Sequence, residues 1–235
     1  MEFLNTILRF FQNGGPFMYP IALVLFIGLA ITIERWVVLA NTKTANRKAF
    51  DEILPMLKRS DYNSVIKFGH SNDTPVARIL AAGIARMGGT RRREDVEYAM
   101  EEGVLETLPR LEKRTPYLAM LANISTLLGL LGTIIGLIAA FTAVANADPT
   151  EKATLLSQSI SLAMNTTAFG LIAAIPLLIF NSLLTTKTSE IVDSLEMVGV
   201  KCINMLFNPL EAEKVEKTVS AKQVKASPVS NQGTS

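Results

Sequence analysis

Residues 115–147 read TPYLAMLANISTLLGLLGTIIGLIAAFTAVANA, 33 positions without a charged side chain. A helix needs about 20 apolar residues to cross a bilayer core, so this stretch is long enough to span. Two similar stretches flank it: residues 10–33 hold 24 uncharged positions, and residues 153–186 hold 34. No soluble core helix needs such runs. The chain is 49% hydrophobic and 19% charged, below the roughly 25% charged residues of soluble domains. The fold class that follows is an all-α membrane protein with three long transmembrane helices.

The first stretch does not read as a cleaved signal. Its start carries only Glu2 and Arg9, it is too long, and it ends in Glu34-Arg35-Trp36 rather than at a small-residue cleavage site. Gly14-Gly15-Pro16 closes an N-terminal segment, 1–16, and the proline suits a helix start. Transmembrane helix one is expected at 17–39. A polar helical domain follows at 40–115, where Phe50, Ile53, Leu54 and Leu57, then Val96, Met100, Val104 and Leu105, recur at helical spacing. Two or three amphipathic helices are expected there. Arg91, Arg92 and Arg93 read as a solvated face.

Helix two is expected at 116–146. Asp148-Pro149-Thr150 marks a turn in the 147–154 loop. Helix three is expected at 155–184 and continues as an amphipathic helix at 185–210, with Ile191, Leu195, Val198 and Cys202 on one side. From Glu211 the chain is Lys, Glu, Ser, Val and Gln, a composition that cannot bury enough apolar area to order itself. A disordered tail is expected at 211–235.

Residues 41–115 carry fourteen Lys/Arg and the part after helix three carries six, whereas the N-terminal segment has only Arg9 and the 147–154 loop only Lys152. The positive-inside rule therefore puts the N-terminus and that loop outside, and the polar domain and C-terminus in the cytoplasm. A 29-residue helix is about 44 Å long against a hydrocarbon layer of about 30 Å. Helices two and three should tilt or extend into the cytoplasmic helical domain.

Several chemistries are excluded. Cys202 is the only cysteine and His70 the only histidine, so no intrachain disulfide and no His/Cys metal site is possible. His70 lies in a polar stretch without a nucleophile motif, which leaves no catalytic triad. No cofactor is expected, and a net charge of +2 without a basic, aromatic-interleaved patch gives no reason to expect nucleic acid.

The candidate functional residues lie in helices two and three. Gly132, Gly136 and Ala140, spaced by four, form a small-residue stripe, which lets helix backbones approach closely in lipid, and Gly129 is a further packing position. Thr133 places a hydroxyl at mid-membrane, where it can bond back to its own helix. The outer half of helix three carries Ser157, Ser159, Ser161, Asn165, Thr166 and Thr167, too polar a cluster to face lipid. Pro176 leaves the Ile172 carbonyl without its helical donor, and a hinge is expected there. Helices two and three contain no Asp, Glu, His, Lys or Arg. Proton relays through membranes normally use ionisable side chains, and Glu34, beside Arg35, reads as half of an interfacial charge pair. The chain can line a polar path, but a partner must supply the carboxylate.

The stretches Gly129-Leu-Leu-Gly132-Thr133-Ile-Ile-Gly136-Leu-Ile and Asn165-Thr-Thr167-Ala-Phe-Gly170-Leu-Ile-Ala-Ala-Ile-Pro176, followed by Asn181, resemble the ExbB/TolQ branch of the MotA/TolQ/ExbB proton-channel family. The pattern of that branch reads much like G-L-x-G-T-V-x-G and, later, A-T-A-x-G-L-x-A-A-I-P. This sequence departs from it at Ile134-Ile135 and at Asn165-Thr166. The resemblance covers about residues 17–205, most strongly 115–182. It implies a homo-oligomer, a pentamer, around an ExbD/TolR-like single-span protein that supplies an aspartate. It also implies pore-lining roles for Thr133 and Thr167, with Thr166 and Asn165 beside them, and close packing at Gly170. The implied function is an ion channel, for protons by the family's name, that energises a TonB- or TolA-like periplasmic protein from the bacterial inner membrane. A structural scaffold, a sodium-driven relative and a membrane enzyme are the alternatives. The polar face of helix three speaks against a scaffold, and the missing catalytic residues speak against an enzyme.

Overall fold

The computed structural model describes residues 15–89 and 92–207, and all regular structure among them is helical. The elements are α1 (Met18–Lys58), α2 (Tyr62–Ser71), α3 (Pro75–Met87), α4 (Arg93–Glu112), α5 (Pro116–Ala145) and α6 (Lys152–Phe207). Three helices are long and apolar enough to cross a membrane: α1, the stretch Arg93–Ala145 whose apolar part is α5, and α6. The expected N-terminal segment lies almost wholly, and the expected tail entirely, outside the described residues.

The helices outrun the apolar stretches. At 1.5 Å per residue, α1 with its 41 residues and α6 with its 56 are about 62 and 84 Å long. Residues 40–54 contain no Gly or Pro, and Ala, Lys, Arg and Glu there sustain the helix beyond Leu39 up to the last turn around Pro55.

The chain divides into two compact units, residues 1–39 with 112–188 and residues 40–111 with 189–235. In the first unit, Met18, Ile21, Phe169 and Ala173 form a buried cluster, with Ala22, Leu25 and Leu128 packed on it. Leu177 fills the notch that Gly28 leaves in α1: a methyl on Gly28 would lie 2.4 Å from its Cδ2. The outer faces stay apolar and bare, with Phe26 74%, Leu127 63% and Met164 66% exposed. Patches of this kind mark surfaces that lipid or other protein covers.

Where α1, α5 and α6 leave their apolar stretches, polar contacts replace apolar ones. Arg114, in the left-handed region at φ 68°, breaks the path from α4 to α5 and ion-pairs with Glu34. Successive helical residues point about 100° apart, so the carboxylate reaches Arg114 while the neighbouring Arg35 is buried. On α6 the Lys187 ammonium sits 3.8 Å over the centre of the Trp36 ring, a cation–π contact.

In the second unit, Ile53, Leu57, Val96, Met100 and Val104 are buried as their spacing predicts, whereas Leu105 is 61% exposed. Leu105 stands about 100° around α4 from Val104 and cannot share its face. The polar region yields the end of α1 plus α2, α3 and α4, more pieces than the two or three helices expected. Asp61 caps α2: its carboxylate accepts from the Ser64 amide at 3.2 Å and the Ser64 hydroxyl at 2.7 Å. These bonds hold its pKa below the usual carboxylate value. The cap is intact above that usual value and is lost as pH falls through the lowered one. Thr74 is extended before Pro75, which opens α3 as its first residue. The exposed Lys43–Glu190 pair, at 2.8 Å, adds little stability.

Ile191, Leu195 and Cys202 bury one side of the α6 extension. Burial pushes the Cys202 thiol up to about 12, and only a thiolate attacks a maleimide at a useful rate. The folded protein is therefore expected to resist maleimide at pH 7.5, with Cys202 reacting only after denaturation. Rapid stoichiometric labelling of the native protein would show that α6 is not packed there.

Candidate functional site

The buried residues of α5 recur at 118, 122, 125, 129, 132, 136 and 140: Leu118, Ala122, Ser125, three glycines and Ala140. Steps of three and four residues make this a straight seam along a helix. The expected stripe of Gly132, Gly136 and Ala140, with Gly129 before it, is its second half. Because the seam's side chains from Ser125 to Gly136 are small or absent, α6 lies against α5 backbone to backbone. A methyl on Gly129 would stand 3.3 Å from the Gly170 Cα, the Thr167 Cα and the Thr166 carbonyl oxygen. A methyl on Gly170 would stand 2.8 Å from the Ser125 carbonyl oxygen and 3.1 Å from the Gly129 Cα. Toward the α5–α6 loop, Gly132 receives the Thr166 methyl and Gly136 faces Ala163. Contact numbers that rise along α5 as they fall along α6 describe an antiparallel hairpin.

Two hydroxyls tie the seam reciprocally. Ser125, fully buried on α5, donates to the Gly170 carbonyl at 3.1 Å, and Thr167 on α6 donates to the Gly129 carbonyl at 3.0 Å. The two glycines that allow the closest approach are thus the two whose carbonyls accept a cross-helix bond. Ser125 is a functional candidate that sequence reasoning missed. A lone serine in an apolar helix carries no signal, and only its position four residues before Gly129, in phase with the stripe, could have found it.

The other expected residues fall in different places. Thr166 is 2% exposed, with its methyl against Gly132 and its hydroxyl donated to the Leu162 carbonyl at 3.0 Å, so it belongs to the seam. Asn165 is half-buried next to it. Thr133 is partly exposed and donates to the Leu130 carbonyl of its own helix at 2.6 Å. Pro176 lies inside the continuous α6, one residue before the Leu177 contact with Gly28. Glu34 is engaged by Arg114. The structure therefore brings Gly129, Gly132, Gly136, Thr166, Thr167 and Gly170 together, sets Thr133 one turn from Gly129, and leaves Glu34 and Arg35 at the end of the apolar stretch. No Asp, Glu, His, Lys or Arg lies in α5 or in α6 between Ala153 and Thr186.

A model of the MotA/TolQ/ExbB proton channel family matches residues 71–197, more than half of the chain. The chain belongs to this family. Its relatives place it on the ExbB/TolQ-like branch. A protein of Methanothermobacter thermautotrophicus, named as an ExbB homolog, is 26% identical over 200 residues, 84% of this chain and 70% of the relative. An ExbB-like protein of Synechocystis is 27% identical over 168 residues, 71% of this chain and 79% of the relative. The Tol-Pal system protein TolQ of Pseudomonas aeruginosa is 28% identical over 175 residues, 68% of this chain and 75% of the relative. The matched region includes the whole α5–α6 seam. Family and apolar helices together make this ExbB/TolQ-like chain a multi-pass membrane protein.

Proposed function

We propose that this chain is the channel-forming subunit of an inner-membrane motor that converts the proton motive force into mechanical work. The observation that carries the reading is the α5–α6 hairpin of a proton-channel family member, whose apolar stretches carry hydroxyls but no Asp, Glu, His, Lys or Arg. A path so lined is polar but has no proton carrier. The carrier is supplied by an ExbD/TolR-like partner, whose single membrane helix brings an aspartate beside Thr133 and Thr167. Copies of this chain, five in the proposed assembly, surround that helix, and the bare apolar faces of α1 and α5 meet neighbouring copies and lipid. Ion flow turns or bends the assembly, with Pro176 as the hinge of α6, and the motion is passed to a TonB- or TolA-like protein. No enzymatic step is involved.

The test is proton flux into liposomes holding the purified chain, with and without the aspartate-bearing partner. Flux is expected only with both present. Full flux from the chain alone, or none from the complex, would overturn the reading. Flux that follows a sodium gradient instead would make the chain a sodium-driven relative.

The proposed orientation, N-terminus outside and residues 40–115 with the C-terminus in the cytoplasm, rests on the Lys/Arg asymmetry. Cysteines introduced by Asn5→Cys and Asn146→Cys should take up an impermeant reagent from outside the cell, and Ser60→Cys should not. Labelling of Ser60→Cys from outside would reverse the topology.

A further inference from the structure

Trp36 on α1 and Lys187 on α6 meet where the apolar stretches end, the ammonium 3.8 Å over the centre of the ring. An ammonium carries three N–H donors and an indole one. Among the described residues, none accepts a hydrogen bond from either side chain. The carboxylate nearest in sequence, Glu34, stands two residues before Trp36 and so about 200° around α1 from it, and Arg114 engages it. Trp36 is exposed and Lys187 only half-buried, so an acceptor outside the chain can reach both.

An apolar stripe leads away from this donor pair. α1 and α6 run parallel here, since Gly28 meets Leu177 and Trp36 meets Lys187. Ile33 lies one turn back from Trp36, and Leu183 and Ile179 lie one and two turns back from Lys187. Steps of three and four keep each set on one face of its helix, and all three apolar side chains are exposed. A tryptophan at the end of an apolar span sits at the level of the lipid headgroups. The formal charges of this unit at the same end are Arg35, Lys113, Arg114 and Lys187 against Glu34 and Glu112, an excess of positive charge.

We infer that Lys187 and Trp36 hold the phosphate of an anionic phospholipid, whose acyl chains lie along Ile33, Leu183 and Ile179. A phosphodiester brings acceptors only. It takes a charge-assisted bond from the ammonium and a second bond from the indole N–H. Basic positions beside membrane helices are where anionic headgroups bind. A zwitterionic lipid brings a cation of its own, which the excess positive charge opposes. Free phosphate lacks the chains that the stripe covers. The contact needs no ion flow, so it stands apart from the channel reading above.

Trp36 is the only tryptophan of the chain, so its fluorescence reports this place alone. The full chain is held in mixed micelles of detergent and phosphatidylcholine, and a phospholipid brominated on its acyl chains, which quenches indole on contact, is added. Brominated phosphatidylglycerol is expected to quench Trp36 more, mole for mole, than brominated phosphatidylcholine. Lys187→Gln should lower the relative affinity for the anionic lipid by roughly tenfold, the worth of one hydrogen bond to a charged group. Lys187→Arg keeps the charge and the donors and should keep the preference. Lys113→Gln removes the same charge at the same end and should leave most of the preference in place. Equal losses in Lys187→Gln and Lys113→Gln would mean diffuse attraction to surface charge and overturn the site. Equal quenching by the two lipids would overturn it too, as would no quenching by either, the result expected if a second copy covers the stripe. Loss of the preference on adding glycerol phosphate would make phosphate alone the ligand and exclude the lipid.

Discussion

Gly170→Leu is expected to part α5 from α6 and abolish the folded hairpin. The first atom of any side chain there would stand 2.8 Å from the Ser125 carbonyl oxygen, 3.1 Å from the Gly129 Cα and 3.4 Å from the Gly129 nitrogen. All three belong to a helix backbone, so no rotamer change can make room. Overpacking typically costs about 1–3 kcal/mol even where neighbours yield, and here they cannot. Displacing α6 also breaks the Ser125 and Thr167 bonds, each worth about 0.6 kcal/mol in a membrane helix pair. Gly132→Leu and Gly136→Leu should disrupt assembly less severely, because Gly132 faces only side-chain atoms, the Thr166 methyl first, and the main chain nearest Gly136, at Ala163, begins 3.5 Å away. Oligomer size and thermal midpoint in detergent measure the effect. A Gly170→Leu protein of normal size and normal midpoint would mean that the two helices do not meet at this seam.

The spans were legible because membrane insertion acts on composition, and three stretches free of charge announce themselves without any partner. The packing stripe was legible for a related reason: small residues three or four apart, such as Gly129, Gly132, Gly136 and Ala140, lie along one side of a helix and let another backbone approach in lipid. What could not be read were choices between partners. Thr133 and Thr167 look alike in the sequence, yet one hydroxyl returns to its own helix and the other crosses to Gly129. Thr166 looked as open as Thr167 until Gly132 took its methyl. Nothing in the sequence around Glu34 and Arg35 announces the ion pair of Glu34 with Arg114, 80 residues away, because periodicity carries no information over that distance. Helix length was underestimated for a different reason. The apolar stretch ends near Leu39, whereas the helix ends only after Pro55, and helix formation depends on backbone propensity as well as on burial.

Gly69→Leu is expected to unfold the second unit while leaving the first intact. A methyl on Gly69 would stand 2.2 Å from the Ala81 Cβ and 2.8 Å from the Ala77 carbonyl oxygen. A methyl carbon fixed to a helix and a main-chain carbonyl cannot swing aside, so α2 must leave α3. Val65 on α2 and Val76, Ala77, Leu80 and Ala81 on α3 are all buried within this unit, and separating the helices exposes them. At about 25 cal/mol per Å² of apolar surface, that exposure adds to the steric cost. None of these residues belongs to the α5–α6 seam. Limited proteolysis should therefore cut residues 60–90 rapidly in Gly69→Leu, while the apolar stretches of α1, α5 and α6 stay protected and membrane-inserted. Flux from the variant complex then separates two roles. If the ion path lies wholly along α5 and α6, ions still flow and only the work drawn from them is lost. Wild-type resistance to protease in Gly69→Leu would contradict the α2–α3 packing itself.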